Sequence, residues 1–123
     1  MDQIEKMQTA RLTKHGQKQV VLRCGFKGRK KAGKKAGKLA DKALKRGVAH
    51  GETEGVLNEY LSMLYLKYKK ANNLRIFDRK VFIFDKDTLI TVLFLPPELI
   101  FAYEAAQRAK NLSIVDQEKG IAS

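Results

Sequence analysis

The stretch LRIFDRKVFIFDKDTLITVLFL, residues 74–95, is the part of the chain richest in β-branched and aromatic residues. Its two apolar runs, Leu74 to Phe84 and Thr88 to Leu95, flank the polar triplet Asp85-Lys86-Asp87. Short β-rich runs separated by turn-forming residues predict two strands joined as a hairpin. The residues expected to form most of the sheet core are Val81, Ile83, Leu89, Ile90, Val92, Leu93 and Leu95.

Helical periodicity surrounds this hairpin on both sides in the sequence. Thr13 and Thr53 stand where caps are expected, and Gly25 and Gly47 stand where helices should end. The predicted elements are a strand at 8–12, a helix at 14–24, a helix through the lysine-rich segment up to 46, a helix at 54–71, the two strands of the hairpin, and a helix at 98–111 after two prolines. This order, β-α-α-α-β-β-α, predicts an α+β fold with a small antiparallel sheet packed against several helices.

The composition of the 123-residue chain predicts one domain, 1–123, with a structured core at about 8–111 and a loose tail at 112–123. No apolar run has the length of a membrane span or the pattern of a signal peptide. Cys24 is the single cysteine, so an intrachain disulfide is excluded and a reducing compartment is favoured. We therefore expect a cytoplasmic protein that does not contact a membrane.

Positive charge is concentrated in one segment of the chain. The sequence holds 25 Lys and Arg against 13 Asp and Glu, and eleven of those cations lie between Arg23 and Arg46 with one acid, Asp41. A concentrated excess of charge creates a directional field and predicts a polyanionic partner, here nucleic acid. The segment is interleaved with Ala and Gly rather than bulky apolar residues, which disfavours a membrane surface. The residues expected to bind phosphates are Lys18, Lys27, Arg29, Lys30, Lys31, Lys34, Lys35 and Lys38.

Other phosphate and metal motifs are incomplete in this sequence. Residues 28–34 read GRKKAGK, but Lys35 stands where a nucleotide-binding loop needs Ser or Thr, and no apolar strand leads into it. Residues 25–28, GFKG, match the short GxxG loop of KH domains, although glycines in a turn between helices are the simpler interpretation. We expect no metal and no cofactor, because the three candidate ligands lack paired spacing: His15, Cys24 and His50.

His15, Gln19 and Arg23 follow one another at intervals of four residues, and so share one face of the first predicted helix. Thr13-Lys-His15, Arg23 and the strand Leu89-Ile-Thr-Val92 carry a resemblance to the barnase, EndoU, colicin and RelE-like superfamily of small bacterial toxin ribonucleases. The resemblance spans roughly residues 12–96. Gln19 departs from the pattern, which has a second arginine at this position.

This resemblance implies metal-independent RNA cleavage, in which a base activates the ribose 2′-hydroxyl and an acid protonates the leaving oxygen. It implies that His15 is the acid or base, Arg23 the phosphate clamp, and Thr91 the hydroxyl that positions the phosphate. His50 is a second candidate acid or base. RNA is then the favoured nucleic acid, and an antitoxin or other protein partner is expected as well. The alternative is a non-enzymatic nucleic-acid-binding or inhibitor protein of a phage or mobile element, in which the same lysines bind phosphates without cleavage.

Overall fold

The computed structural model describes the backbone of residues 9–122 and the side chains of residues 9–114. It confirms an α+β fold, built from four α-helices and one five-stranded sheet. The helices are α1 (Lys14–Arg23), α2 (Ala32–Arg46), α3 (Gly55–Lys67) and α4 (Ile100–Ala122). The strands are β1 (Arg11–Leu12), β2 (Val48–Ala49), β3 (Asn73–Phe77), β4 (Lys80–Asp85) and β5 (Thr88–Phe94). Two short 3-10 helices, His50–Glu52 and Pro97–Leu99, precede α3 and α4.

The sheet has the strand order β1-β5-β4-β3-β2. The three neighbouring pairs from β5 to β2 are antiparallel as predicted, whereas β1 is parallel to β5, which makes the sheet mixed. The predicted hairpin is present as β4 and β5, with Asp85 paired to Thr88. These central strands provide the surface on which both helix layers pack.

The run from Leu74 to Phe84, predicted as one strand, is two strands that reverse at Asp78 and Arg79. Both turn residues have left-handed backbone angles, with φ of 49° and 60°. Two positive φ angles are typical of the tight hairpin turn that usually contains Asn or Gly. Because neither residue type is present here, Asp78 alone is too weak a turn signal to divide the run into two strands.

The sheet separates two helix layers, each with its own hydrophobic core. On one face, α1 and α2 pack on β4 and β5, and the buried residues are Ala10, Val20, Ala36, Ala40, Ala43, Phe82, Phe84, Leu89 and Val92. On the other face, α3 and α4 pack on β3 and β4, and the buried residues are Val48, Leu57, Leu61, Leu64, Ala71, Leu74, Ile76, Val81, Ile83, Leu95, Leu99 and Tyr103.

Several predicted boundaries differ from the structure. The third helix ends at Lys67 rather than near Ala71, and the last helix continues to Ala122, past the predicted end near residue 111. Thr53 does not cap α3, because its hydroxyl donates a hydrogen bond of 2.7 Å to the His50 carbonyl oxygen. Strand β2 was not predicted, since two residues are too few to show a period of two.

Candidate nucleic-acid interface

The outer layer formed by α1, α2 and the loop between them, residues 24–31, carries the concentrated charge. Lys45 and Arg46 are exposed at the C-terminal end of α2, where Lys45 pairs with Asp41. The other exposed cations of this layer are Lys14, Lys18, Lys27, Arg29, Lys30, Lys31, Lys34, Lys35, Lys38 and Lys42. We call this set the basic surface. It contains all eight predicted phosphate contacts. Seven lie on the loop and α2, and Lys18 lies on α1.

Helix α2 presents its lysines outward because its inner face is made of small residues. Ala36, Gly37, Ala40 and Ala43 are buried against the sheet, where Phe82 and Phe84 are fully enclosed. Small side chains allow a helix to approach a sheet closely, and the large phenylalanine rings fill the space that remains. The lysines alternate with these residues at helical spacing, so they lie on the opposite, solvent side.

Asp41 is the single acid among residues 9–46, and it is occupied by internal contacts. Its carboxylate accepts hydrogen bonds from the backbone amides of Thr9 (2.7 Å) and Ala10 (3.1 Å), and it lies 2.7 Å from the Lys45 ammonium. Desolvation by burial raises the pKa of Asp41, but the hydrogen bonds from Lys45, Thr9 and Ala10 outweigh it, so the pKa lies below its ordinary value. This carboxylate therefore holds the strand β1 segment against α2 rather than neutralising the basic surface.

The charges of the basic surface are not balanced by neighbouring acids. In the part of the chain whose side chains are described, none of its ten cations forms an ion pair. Residues 9–46 hold fourteen Lys and Arg against one acid, whereas residues 47–114 hold nine against eight. The net positive charge of residues 9–114 is therefore concentrated in the part of the chain that forms α1, α2 and the loop between them.

The start of α2 adds to this positive potential. Its N-cap residue, Lys31, makes no side-chain cap and has a left-handed φ of 57°, and the first turn contains no acid. The aligned peptide dipoles place partial positive charge at a helix N-terminus. Gly25 and Gly28 also have positive φ angles, 82° and 78°, which identifies them as turn glycines in the loop that follows α1.

The three predicted catalytic residues are not brought together by the fold. His15 is exposed in the first turn of α1, whereas Arg23 ends the same helix, about 12 Å away along the axis. The Arg23 guanidinium is partly buried and donates a short hydrogen bond to the Val92 carbonyl oxygen. It fastens α1 to β5, which is a sufficient structural role for this residue.

Thr91 lies on the other side of the sheet from α1. It is 6% exposed and stands directly opposite Ile83, which belongs to the core beneath α3 and α4. Residues paired across antiparallel strands share a face of the sheet. The Thr91 hydroxyl is therefore separated by the sheet from the helix that carries His15.

His50 lies in the second helix layer, away from His15. Its Nε2 is 2.9 Å from the Ser62 hydroxyl, and its ring lies 5.4 Å from the Tyr65 ring, centroid to centroid. These contacts place His50 against α3. Among the residues that the structure describes, no group of three or more His, Cys, Asp or Glu side chains could hold a metal ion.

Two features of this layer were missed at the level of sequence. Lys14 and Lys42 extend the basic surface beyond the eight predicted contacts, a result that helical spacing from Lys18 and Lys38 would have given. Phe94, at the end of β5, is 62% exposed on the same side of the sheet. Strand alternation predicts which face Phe94 occupies, but only the fold shows that α1 leaves it uncovered.

Comparison with known proteins returned no matching family model, no matching curated protein and no matching solved structure. The resemblance to toxin ribonucleases therefore stays a prediction. Within the described range, no helix is both long enough and apolar enough to cross a membrane.

Proposed function

We propose that this protein binds nucleic acid, with RNA favoured, and that the basic surface contacts its phosphate backbone. The supporting observation is the segregation of charge: residues 9–46 hold fourteen cations and one internally engaged acid. Each lysine that contacts a phosphate releases condensed counterions, and this release supplies most of the free energy of non-specific binding. A cytoplasmic location is part of the proposal, which the single, half-buried Cys24 favours.

The proposal does not include a catalytic role for His15, Arg23 and Thr91. Metal-independent RNA cleavage requires an acid or base and a cation around one phosphate. Arg23 is bonded to the Val92 carbonyl oxygen and Thr91 faces the opposite core, so a binding function fits these residues better than cleavage. An acidic protein partner, such as the expected antitoxin, would recognise the same lysines and compete with nucleic acid for them.

The dependence of binding on salt tests the proposal. We expect the affinity for a fluorescein-labelled single-stranded RNA, measured by anisotropy between 50 and 200 mM NaCl, to fall linearly on a logarithmic plot. Replacing Lys30, Lys31, Lys34 and Lys35 with Gln should flatten that slope by up to about 3, because each phosphate contact on a single strand contributes about 0.7. Incubating the same RNA with protein and a chelator shows directly whether it is cut.

A matched variant removes the same charge from elsewhere on the protein. Among the side chains described, four exposed lysines lie outside α1, α2 and the loop between them: Lys67, Lys69, Lys70 and Lys86. Their joint replacement with Gln should leave the slope close to that of the unmodified protein. Equal slopes for the two quadruple variants, or no measurable binding by the unmodified protein, would contradict the proposal.

A further inference from the structure

Phe94 is an exposed ring on the face of the sheet that α1 and α2 cover. In the sheet, Phe94 stands opposite Lys80, two residues beyond Val92, and so faces the side on which α1 and α2 pack. Its neighbours in the chain, Leu93 and Leu95, contribute to the core on the other face. Phe94 therefore lies on the face of the sheet that forms the core beneath α1 and α2, yet it is 62% exposed.

The end of α1 explains this exposure. Arg23, its last residue, reaches the Val92 carbonyl oxygen, and the chain then turns away at Gly25, where φ is 82°. Strand β5 continues for two more residues after Val92, past the point that the helix covers. Phe94 thus lies where α1 ends and where the lysine-rich loop of residues 24–31 begins.

The other described aromatic residues on this side of the sheet are less exposed than Phe94. Phe82 and Phe84 are fully buried, and Phe26 and Phe77 are partly buried against the same core. Contacts from lysine and arginine to phosphates carry no information about the bases, so they do not by themselves detect an unpaired base. An exposed aromatic ring beside a cationic groove or surface is the feature on which an unpaired base stacks.

We propose that Phe94 stacks on an unpaired base of a single-stranded RNA whose backbone lies along the basic surface. The inference rests on the proposed function, and it narrows the ligand from nucleic acid in general to a single strand. In a duplex the bases already stack on each other and their faces are closed to Phe94. The ring therefore adds affinity for single strands while the lysines serve both forms.

Substitution of Phe94 separates base stacking from charge. Phe94→Ala should weaken binding of a single-stranded oligouridine RNA by about fivefold or more, since loss of one stacked base by alanine substitution has an effect of this order or greater. Affinity for an RNA duplex of the same length, and the salt slope for both ligands, should not change. Phe94→Tyr should keep the single-strand affinity because the ring remains.

Phe101 provides a matched control, because it is 83% exposed and lies on α4 in the other layer. Phe101→Ala should bind both RNA forms like the unmodified protein. The chain contains four tyrosines and no tryptophan, so Phe94→Trp and Phe101→Trp each introduce a single tryptophan that can be excited selectively. Single-stranded RNA should quench the fluorescence of Trp at position 94 and not at position 101.

The outcomes distinguish this inference from the proposed function. If Phe94→Ala binds the single strand normally, or loses single strand and duplex equally, base stacking is wrong while the lysine-dependent binding stands. If the unmodified protein binds neither RNA form, both proposals fail. A drop for the single strand alone, with quenching at position 94, supports the inference.

Discussion

Gly16 and Gly33 stand at two helix positions where added methyl groups meet different neighbours. A Cβ at Gly16 would lie 2.4 Å from the Leu89 carbonyl oxygen, which belongs to the main chain of the sheet. A Cβ at Gly33 would lie 2.7 Å from the Nε2 atom of Gln17, the end of an exposed and flexible side chain. The main chain of the sheet cannot move to make room for a methyl group, whereas the Gln17 side chain can change its conformation.

We therefore expect the two alanine substitutions to act in opposite directions. Gly16→Ala should lower the free energy of unfolding by about 1–3 kcal/mol, the usual cost of overpacking. Gly33→Ala should raise it by up to about 1 kcal/mol, because alanine favours the helix and restricts the unfolded chain. Urea unfolding followed by circular dichroism measures both, and a destabilised Gly33→Ala with a neutral Gly16→Ala would refute this account.

At single residues, local contacts were predictable and distant ones were not. Thr13 was predicted to cap α1, and its hydroxyl oxygen does accept a hydrogen bond of 2.9 Å from the Gly16 amide. This bond joins residues three positions apart, so the local sequence pattern is enough to predict it. The resemblance assigns Arg23 to a phosphate, and its hydrogen bond to the Val92 carbonyl oxygen could not be predicted because Val92 is 69 residues away.

Between elements, Asp41 connects α2 to the segment that enters β1. Asp41→Asn keeps the side-chain shape and removes the charge that the Thr9 and Ala10 amides and Lys45 stabilise. At pH 7 we expect the variant to be less stable by about 1–2 kcal/mol, the order of a hydrogen bond to a charged group. Chemical unfolding at a series of pH values measures this difference.

The lowered pKa of Asp41 sets the pH dependence of that difference. A carboxylate whose folded pKa is depressed contributes its full stability above the unfolded value, ordinarily 3.8, and loses it as the pH falls through the folded pKa. The difference in free energy of unfolding between Asp41→Asn and the unmodified protein should therefore become smaller below pH 3.8. Glu98→Gln, at an exposed position on the opposite layer, should show no such change, and a constant gap for Asp41→Asn would exclude the mechanism.

The predictability of the elements follows from their length and their caps. Helix α1 was located to within one residue and α2 was given its correct end at Arg46, because the periodicity, the cap at Thr13 and the stop at Gly47 agree. The start of α2 at Ala32 was not predicted. The parallel pairing of β1 with β5 joins residues more than seventy positions apart and rests on a two-residue strand. Pairings of this kind depend on the packing of the two helix layers, which no local pattern encodes.

At the scale of the whole molecule, the basic surface that favours a polyanion also repels itself. Along α2, like charges recur at spacings of three and four residues, as at Lys31, Lys34, Lys35, Lys38 and Lys42. Each such pair destabilises a helix by about 0.2–0.5 kcal/mol when charges are weakly screened. The Debye length falls from about 30 Å at 0.01 M salt to about 10 Å at 0.1 M, so added salt should relieve much of this repulsion.

We therefore expect NaCl to stabilise the fold, raising the free energy of unfolding by on the order of 1 kcal/mol between 0.01 and 0.3 M in a buffer without phosphate. The variant with Gln at positions 30, 31, 34 and 35 should be more stable at low salt and respond less to NaCl. The variant with Gln at 67, 69, 70 and 86 should keep most of the response, because residues 47–114 have nearly balanced charges. If both variants lose the salt response equally, the repulsion arises from net charge alone. If neither variant loses it, salt stabilises the fold in another way. Either result would show that the concentration of charge on one layer does not govern stability.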